Sequence, residues 1–508
     1  MKKIFLPLML NLLLTHAYAQ NVAINTDGSE ADASAILDIK SCDKGMLIPR
    51  TSTVTRIAIP NPARGLLLYD STTSSFWYHN GMAWVEIGQG NGIAWNTNGN
   101  SGTDPVTNFI GTVDDQPLKF RINNEPAGEI GKDSHNTGFG YNAAGYITTG
   151  TSNSAFGFLA LGNTPGGSVN TAVGYQSLLD NSTGNGNTAV GANAMVYSRE
   201  GDENTAIGNG SLYSHRIGSW NTALGAASLY SDTSGFFNVA IGGRSLYSNS
   251  FGSENTAVGY SSLYSDTSGV NNVAVGTYSL QLNLSGNNNV GIGHSTLRLN
   301  TTGSSNTANG AYSLSYNTEG INNCAVGCLS LNKNTIGIEN TATGEQSLQM
   351  NINGGGNVAI GTSSMNANIS GDGNTAAGAQ SFHGNIDGNA NTGFGALALY
   401  SNQSGNNNTI IGSAAGYSTM GDGNVFLGFN AGFYETGSNK LYIANSYTSA
   451  PLIGGDFNTG TVTVNSLLTL TPRGEPTNPV KGMIYFDNTS GMNKLRCYDG
   501  TVWKNLWQ

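Results

Sequence analysis

The stretch Asn170-Thr171-Ala172-Val173-Gly174 decides the fold, because the same pattern returns at intervals of 17 residues. Its asparagine and glycine recur as the pairs Asn187 and Gly191, Asn204 and Gly208, and Asn221 and Gly225. The glycine can be followed from Gly140 to Gly428 through eighteen copies, with a final step of 16 residues. A repeat that keeps its register over this length predicts a solenoid, in which each copy stacks on the next.

The repeat unit predicts a short β coil. A second glycine follows the first by ten residues in sixteen copies, as at Gly184, and two such corners leave no room for a long helix. The segments Thr-Ala-Val and Ser-Leu predict two short strands in each coil, with Ala, Val and Leu facing inward. The asparagine side chains are expected to stack and to form hydrogen bonds along the axis.

We therefore predict an all-β protein whose centre is a parallel β-roll or β-solenoid of about 18 coils with a 17-residue repeat, flanked by small β modules. Coils spaced by about 4.8 Å make a rod of about 85 Å. The predicted segments are a signal peptide at 1–19, an N-terminal small β module at 20–95, a connecting β segment at 96–135, the β-roll at 136–438, a post-head β segment at 439–470 and a C-terminal small β module at 471–508.

The N-terminus has the pattern of an export signal. Lys2 and Lys3 precede a short apolar run, and Ala17-Tyr18-Ala19 is a small-x-small cleavage site. No later apolar run is long enough to predict a membrane-spanning helix. We expect a secreted or cell-surface protein of a Gram-negative-type bacterium, with no transmembrane segment after the signal is removed.

Composition argues against several classes of function. Lys and Arg number 21 against 31 Asp and Glu, so a nucleic-acid partner is not expected. Gly contributes 71 of the 508 residues without a collagen period, and charged residues are only 10%, unlike charged disordered chains. This neutral, glycine-rich composition is typical of a repetitive β protein.

Residues suited to catalysis or metal binding are few and scattered. The histidines of the mature chain are expected on the surface or in turns, and the isolated carboxylates in turns: His79, His135, His215, His294 and His383, and Asp232, Asp266 and Asp372. Cys324 and Cys328 lie too far apart along a strand to form a disulfide, and we expect buried thiols. We predict no enzyme activity, no catalytic or metal-binding residue and no cofactor.

One column of aromatic residues is a candidate binding strip. Tyr213, Tyr230, Tyr247 and Tyr264 each follow the repeat glycine by five residues, so a solenoid would stack them on one face. Such a strip could bind a partner, because Tyr offers a large contact area at low entropy cost. It could equally be a stabilising aromatic ladder or a contact between chains.

The flanks resemble each other. Pro62 to Asp70 and Pro479 to Asp487 share one pattern, and a Trp strand follows each at Trp84 and Trp503. Both look like the small β modules of tail-fibre-like bacterial surface proteins. The tryptophans could bind a sugar or a partner, or they could be core residues of the modules or contacts within a trimer.

The repeat resembles the YadA-like head repeat of trimeric autotransporter adhesins over about 136–438. The small Ala, the branched residue, the Gly and the following Ser stand in the same order, although the period here is longer than is common in that family. The resemblance implies a left-handed β-roll, a homotrimer of chains packed side by side, and a head that binds host, matrix or glycan surfaces. The resulting hypothesis is a structural fibre with an adhesin-like role.

Two alternatives belong to other functional classes. An ice-binding β-solenoid would use the Thr row that follows the repeat asparagine, although that row is interrupted, for example at Val239 and Cys324, and no Thr-x-Thr pair is expected. A polysaccharide-acting enzyme on a β-solenoid would need irregular coils or loops to build a site, and the uniform repeat argues against it.

Overall fold

The structure is a computed structural model that describes residues 21–87, 103–104, 106–131, 134–489 and 493–506. The chain forms two compact units, Met1–Gly111 and Thr112–Gln508. The predicted signal peptide at 1–19 lies outside the described residues, and the predicted segment boundaries stay predictions. None of the helices in the described ranges has the length and apolar character needed to cross a bilayer.

The described part of the first unit contains two small sheets and one short helix. Its elements are β1 (Val22–Asn25), β2 (Leu37–Lys40), β3 (Arg50–Thr51), α1 (Thr53–Ile57), β4 (Leu67–Asp70), β5 (Ser75–His79) and β6 (Trp84–Ile87). β1 and β2 pair in parallel. β3 pairs in parallel with β4, and β4, β5 and β6 form an antiparallel meander.

The second unit is built on the coil stack, which is the set of coils that contribute strands β9 to β27. An antiparallel hairpin precedes it and two antiparallel strands follow it, with a separate three-stranded meander after them. The strands are β7 (Leu118–Ile122), β8 (Glu125–Ile130), β9 (Thr137–Phe139), β10 (Ser154–Phe156), β11 (Thr171–Val173), β12 (Thr188–Val190), β13 (Thr205–Ile207), β14 (Thr222–Leu224), β15 (Val239–Ile241), β16 (Thr256–Val258), β17 (Val273–Val275), β18 (Val290–Ile292), β19 (Thr307–Asn309), β20 (Cys324–Val326), β21 (Thr341–Thr343), β22 (Val358–Ile360), β23 (Thr375–Ala377), β24 (Thr392–Phe394), β25 (Thr409–Ile411), β26 (Val425–Leu427), β27 (Lys440–Ile443), β28 (Ile453–Asp456), β29 (Thr461–Val464), β30 (Ile484–Asp487), β31 (Lys494–Tyr498) and β32 (Trp503–Asn505).

The strands of the coil stack pair in parallel with the same repeat position in the next coil. Thr171 lies opposite Thr188, and Ala172 lies opposite Ala189. The predicted fold class is confirmed: the protein is all-β, with a parallel β-solenoid of 17-residue repeat and small flanking sheets. The coil count differs slightly from the prediction, because β27 continues the parallel pairing beyond the eighteenth copy.

The predicted second strand of each coil is wrong. The Ser-Leu segment forms a turn, in which Leu229 has a φ of 48°. A left-handed conformation at a residue other than Gly costs about 1–2 kcal/mol. The Leu229 side chain is fully buried, and burial of a leucine contributes about 1.5–3 kcal/mol, which offsets that cost.

The interior of most coils is filled by the middle strand residue and by the leucine of the turn. Ala172 and Leu178 have no exposed surface. Side chains alternate along a strand, so the first and third strand residues point outward. The expectation that Val173 faces the interior is therefore wrong, and its side chain is 38% exposed.

Large and small core residues compensate for each other between neighbouring coils. Leu229 and Ala240 occupy the leucine and alanine positions of two successive coils, and Phe382 and Gly393 occupy the same two positions further along. A Cβ at Gly393 would lie 2.9 Å from Cε2 of Phe382. The missing methyl group thus provides the space that the larger ring fills.

We predict that Gly393→Ala lowers the free energy of unfolding by about 1–3 kcal/mol, because the added carbon overpacks the core against Phe382. Phe382→Leu alone lowers it by leaving a cavity. The double variant Phe382→Leu/Gly393→Ala has the same combination of residues as Leu229 and Ala240. Its free energy of unfolding, measured with urea, should therefore be higher than the sum of the two single effects predicts. Additive effects would show that Gly393 and Phe382 do not depend on each other.

Candidate functional site

The asparagines of the repeat form a buried column, which we call the first amide column. Asn170 and Asn187 are at most 1% exposed. The backbone N–H of Asn187 donates to Oδ1 of Asn170 at 2.9 Å, and Nδ2 of Asn187 donates to the carbonyl of Gly201 at 2.7 Å. Asn204 and Asn221 continue the column in the same way. Each asparagine therefore links its own coil to the preceding and following ones.

The repeat glycines lie where two coils approach each other most closely. Gly174 has a φ of 137°, and a Cβ there would lie 2.5 Å from the carbonyl oxygen of Gly191. Gly191, Gly208 and Gly225 are in the same situation. A side chain at these positions would clash with the backbone of the next coil, so the glycines have a structural role.

The third strand residues form an outward row of apolar side chains, which we call the apolar row. It contains Val, Ile, Leu or Phe in most coils. Among the residues of the row that are classed as exposed, the exposed fraction ranges from 36% at Val275 to 48% at Ile360. With about 4.8 Å between coils, the row extends for about 85 Å. Contiguous apolar patches on monomers rarely exceed a few hundred Å², and larger ones mark interaction sites.

The four tyrosines of the candidate binding strip stack face to face. Ring centroids are 5.0 Å apart between Tyr213 and Tyr230, 5.2 Å between Tyr230 and Tyr247, and 5.1 Å between Tyr247 and Tyr264. The interplanar angles are at most 8°. The rings cover each other's faces and are half-buried. The strip can therefore offer ring edges and hydroxyl groups to a partner.

The same column has a second aromatic segment that the sequence analysis missed. His383, Tyr400, Tyr417 and Phe433 stack with centroid distances of 5.1, 4.9 and 4.7 Å. These residues also follow a repeat glycine by five residues. The repeat register alone could have identified them.

A second buried column, which we call the second amide column, lies three residues before the second glycine of each coil. Asn300 and Asn317 are typical: Nδ2 of Asn300 donates to Oδ1 of Asn283 at 2.7 Å, and Nδ2 of Asn317 donates to Oδ1 of Asn300 at 2.8 Å. His215, Asp232 and Asp266 occupy this column and have no exposed surface. A surface position is therefore wrong for His215, and all three side chains are buried although the residues lie in the non-strand segments between turns.

His215 and Asp232 form a buried pair. Nδ1 of His215 lies 2.6 Å from Oδ2 of Asp232, and Nε2 lies 2.7 Å from the carbonyl oxygen of Gly218. A carbonyl oxygen only accepts, so Nε2 carries a proton, and the contact between Nδ1 and Oδ2 holds another. The pair replaces the amide contact of other coils without leaving an isolated charge.

Asp266 interrupts the hydrogen bonds of the second amide column. Its Oδ1 accepts from Nδ2 of Asn283 at 2.9 Å and from the N–H of Gly269 at 3.1 Å, whereas its Oδ2 has no partner. Oδ1 of Asn249, one coil earlier, also has no partner. Burial raises the pKa of Asp266 to about 7, against the two hydrogen bonds it accepts. In a regular part of the column this position donates to the preceding coil, as Nδ2 of Asn300 does to Asn283, so a proton on Oδ2 would give Asp266 the corresponding donor toward Asn249.

The remaining candidates for chemistry stay apart. His294 and His383 lie in ring contacts of the coil stack, and His79 is buried in the first unit. Cys328 is exposed and Cys324 is half-buried, so the expectation of buried thiols is wrong. Within the described ranges, no three His, Cys, Asp or Glu residues are grouped so that they could hold a metal ion.

The Thr row lies on the outer face of the strands, beside the apolar row. Its members are half-buried in most coils, and Val239 and Cys324 interrupt it. Thr341 and Thr343 form a Thr-x-Thr pair in β21, contrary to expectation. In most other coils the second member is an aliphatic residue, so the regular feature of this face is its apolar row.

The tryptophans of the two flanking modules lie beside an ion pair, which is buried in the N-terminal module and partly exposed in the C-terminal one. Nε of Arg56 lies 2.8 Å from Oδ2 of Asp70, and its guanidinium lies 5.8 Å from the centre of the Trp84 ring and 3.6 Å from that of Trp77. In the C-terminal module, Arg496 lies 3.0 Å from Asp487 and donates to the carbonyl of Trp503 at 3.2 Å. These contacts favour a packing role for the aromatic residues.

Comparison with models of protein families gives a match near the N-terminus. Residues 23–102 match the family model of the phage tail like trimerisation region. Neither a curated protein nor a solved structure matches the chain. The match and the β-solenoid together fit a tail-fibre-like structural protein.

We predict that Asp266→Asn stabilises the protein increasingly as pH rises from about 4 to about 7. Asp266 keeps its proton to about pH 7 when folded but only to about pH 4 when unfolded. The free energy of unfolding therefore falls by about 1.4 kcal/mol per pH unit in this window. Asn carries no such titration and supplies Nδ2 to Asn249. Urea unfolding of both proteins between pH 4 and 9 measures the difference.

Asn300→Asp is the matched control, because it removes the donor to Asn283 in an otherwise regular part of the same column. It should lose stability over the same pH window. A pH-independent difference between Asp266→Asn and the natural sequence would contradict a protonated Asp266.

Proposed function

We propose that the chain is exported through the signal at 1–19 and forms a homotrimeric, non-enzymatic fibre. The fibre stands at the surface of a Gram-negative-type bacterium or is secreted, and its coil stack binds other surfaces with an adhesin-like role. Host, matrix or glycan surfaces are the proposed partners. The observation that carries the proposal is the apolar row along the coil stack.

Burial of the apolar row would stabilise the association of one copy of the chain with another. Ile207, Ile241 and Ile292 are each 37–41% exposed at the same position of different coils. Burying apolar surface contributes about 25 cal/mol per Å², so a row that repeats in almost every coil favours side-by-side packing along the whole stack. A cyclic arrangement repeats one interface between all copies and closes on itself.

The first unit supports a trimer independently. Val22, Ile24 and Leu37 in the parallel pair of β1 and β2 are 49–56% exposed, although apolar strand residues of this size are usually covered. The match of residues 23–102 to a trimerisation region supports an assembly of three chains. A rigid trimer would present each surface column three times, so weak contacts could add by multivalency.

We predict that residues 20–508 have three times the mass of one chain by light scattering after size exclusion. Replacing Ile207, Ile241 and Val275 together by Glu places charges in the apolar row and should shift the mass toward that of one chain. Replacing the exposed turn residues Ser268, Thr302 and Asn353 by Glu adds the same charge elsewhere on the stack and should leave the trimer intact. A monomer in the natural sequence would overturn the proposed assembly.

The tyrosine strip is the proposed contact surface for the bound partner. Replacing Tyr213, Tyr230, Tyr247 and Tyr264 together by Ser should weaken binding of the purified protein to cells, matrix or glycans, because the strip loses its aromatic surface. The matched Phe variants keep the stacked rings and test the hydroxyl groups alone. Unchanged binding of the Ser variant, with the trimer mass retained, would limit the strip to a stabilising role.

A further inference from the structure

A pocket lined mainly by aromatic side chains lies where the last coil passes into β27. Its volume is about 300 Å³, and its walls include Phe433, Tyr434, Glu435, Tyr442 and Tyr447. We call it the aromatic pocket. The second aromatic segment ends here with Phe433, and Thr419 Oγ1 donates to the backbone carbonyl of Glu435 at 3.0 Å.

The aromatic residues of the pocket pack against one another through ring contacts, and two of them are exposed to solvent. Phe433 stacks on Tyr417 with an interplanar angle of 4°. It meets Tyr434 and Tyr447 edge to face at 4.7 and 4.8 Å. Tyr434 is 74% exposed and Tyr447 is 59% exposed. The pocket therefore presents electron-rich aromatic surface to a ligand from solution.

The carboxylate of Glu435 is fixed on the wall of the pocket. Its Oε2 accepts from the hydroxyl of Tyr442 at 2.7 Å, and its Oε1 accepts from the N–H of Gly437 at 2.8 Å. Burial, followed by the neighbouring Glu435, raises the pKa of Tyr442 to about 12, so its hydroxyl keeps its proton at neutral pH. These contacts orient the carboxylate without neutralising it.

Lys440 interacts electrostatically with Glu435, but its ammonium group forms its ion pair with a different carboxylate. Nζ of Lys440 lies 2.7 Å from Oδ2 of Asp456, and among the described residues that line the pocket none is Lys or Arg. The pocket thus combines one negative charge with four aromatic rings. An anion would be repelled by Glu435, and the chain's own donors already occupy both carboxylate oxygens.

We propose that the aromatic pocket binds an organic cation of the alkylammonium class, with a quaternary ammonium group as its best ligand. A quaternary ammonium needs no hydrogen-bond acceptor, and aromatic rings attract it through the negative charge of their faces. The fixed carboxylate of Glu435 adds attraction to the same charge. This site is separate from the apolar row and does not depend on the proposed trimer.

The experiment is calorimetric titration of residues 20–508 with choline and with 3,3-dimethylbutan-1-ol, its neutral isostere. We expect choline to bind at least about tenfold more tightly, a difference of about 1.4 kcal/mol, because only the cation interacts with the rings and with Glu435. Equal affinities, or no binding of choline, would overturn the proposal.

Variants locate the site. Glu435→Gln removes the charge and retains an oxygen that can accept from Tyr442, and Tyr447→Ala removes an exposed ring. Each should weaken choline binding about tenfold. Tyr146→Ala is the matched control, because Tyr146 is 64% exposed in the first coil, and it should leave the affinity unchanged. Full affinity in Tyr447→Ala, a variant that keeps the hydrogen bonds of Glu435 with Tyr442 and Gly437, would place the cation elsewhere and overturn the assignment.

Discussion

The contact between one coil and the next through the first amide column is the interaction on which the rest of the structure depends. The carboxamide of Asn170 accepts from the next coil through Oδ1 and donates to a carbonyl through Nδ2. Because both contacts are buried, losing one would leave an unsatisfied polar group, which costs about 1–3 kcal/mol. The repeat must therefore keep its length, and the glycines must stay small where the backbones meet.

A fixed repeat length turns every sequence position into a column. A residue that recurs in successive copies becomes a continuous surface or a continuous interior line, as the apolar row and the tyrosine strip illustrate. The same rule places dissimilar residues in contact when a copy departs from the pattern. His215 and Asp232 are partners because they occupy one position of adjacent coils.

The sequence was sufficient to predict the parallel coil stack and the amide hydrogen bonds, since both follow from the spacing of Asn170, Gly174 and their equivalents. It was not sufficient for the turn at Leu229, where burial outweighs an unfavourable backbone conformation. Nor did it show that Val173 faces outward, because inward and outward apolar residues look alike in so short a strand. The burial of His215 was not predicted because this residue was considered alone. Asn300 and Asn317 occupy the same repeat position, and their type indicates that the position is buried. The aromatic pocket joins Phe433, which follows the repeat register, to Tyr442 and Tyr447, which lie beyond the last repeat glycine, so the repeat spacing alone could not have indicated it.

The two ends of the coil stack are covered by strands that run the other way. β8 pairs antiparallel with β9, and β28 pairs antiparallel with β27. Neither pairing depends on how many coils lie between them. An in-frame gain or loss of one repeat in the gene would therefore change the reach of the protein by about 4.8 Å while both ends stayed the same. Length is thus a property that natural variation can adjust without redesigning the fold.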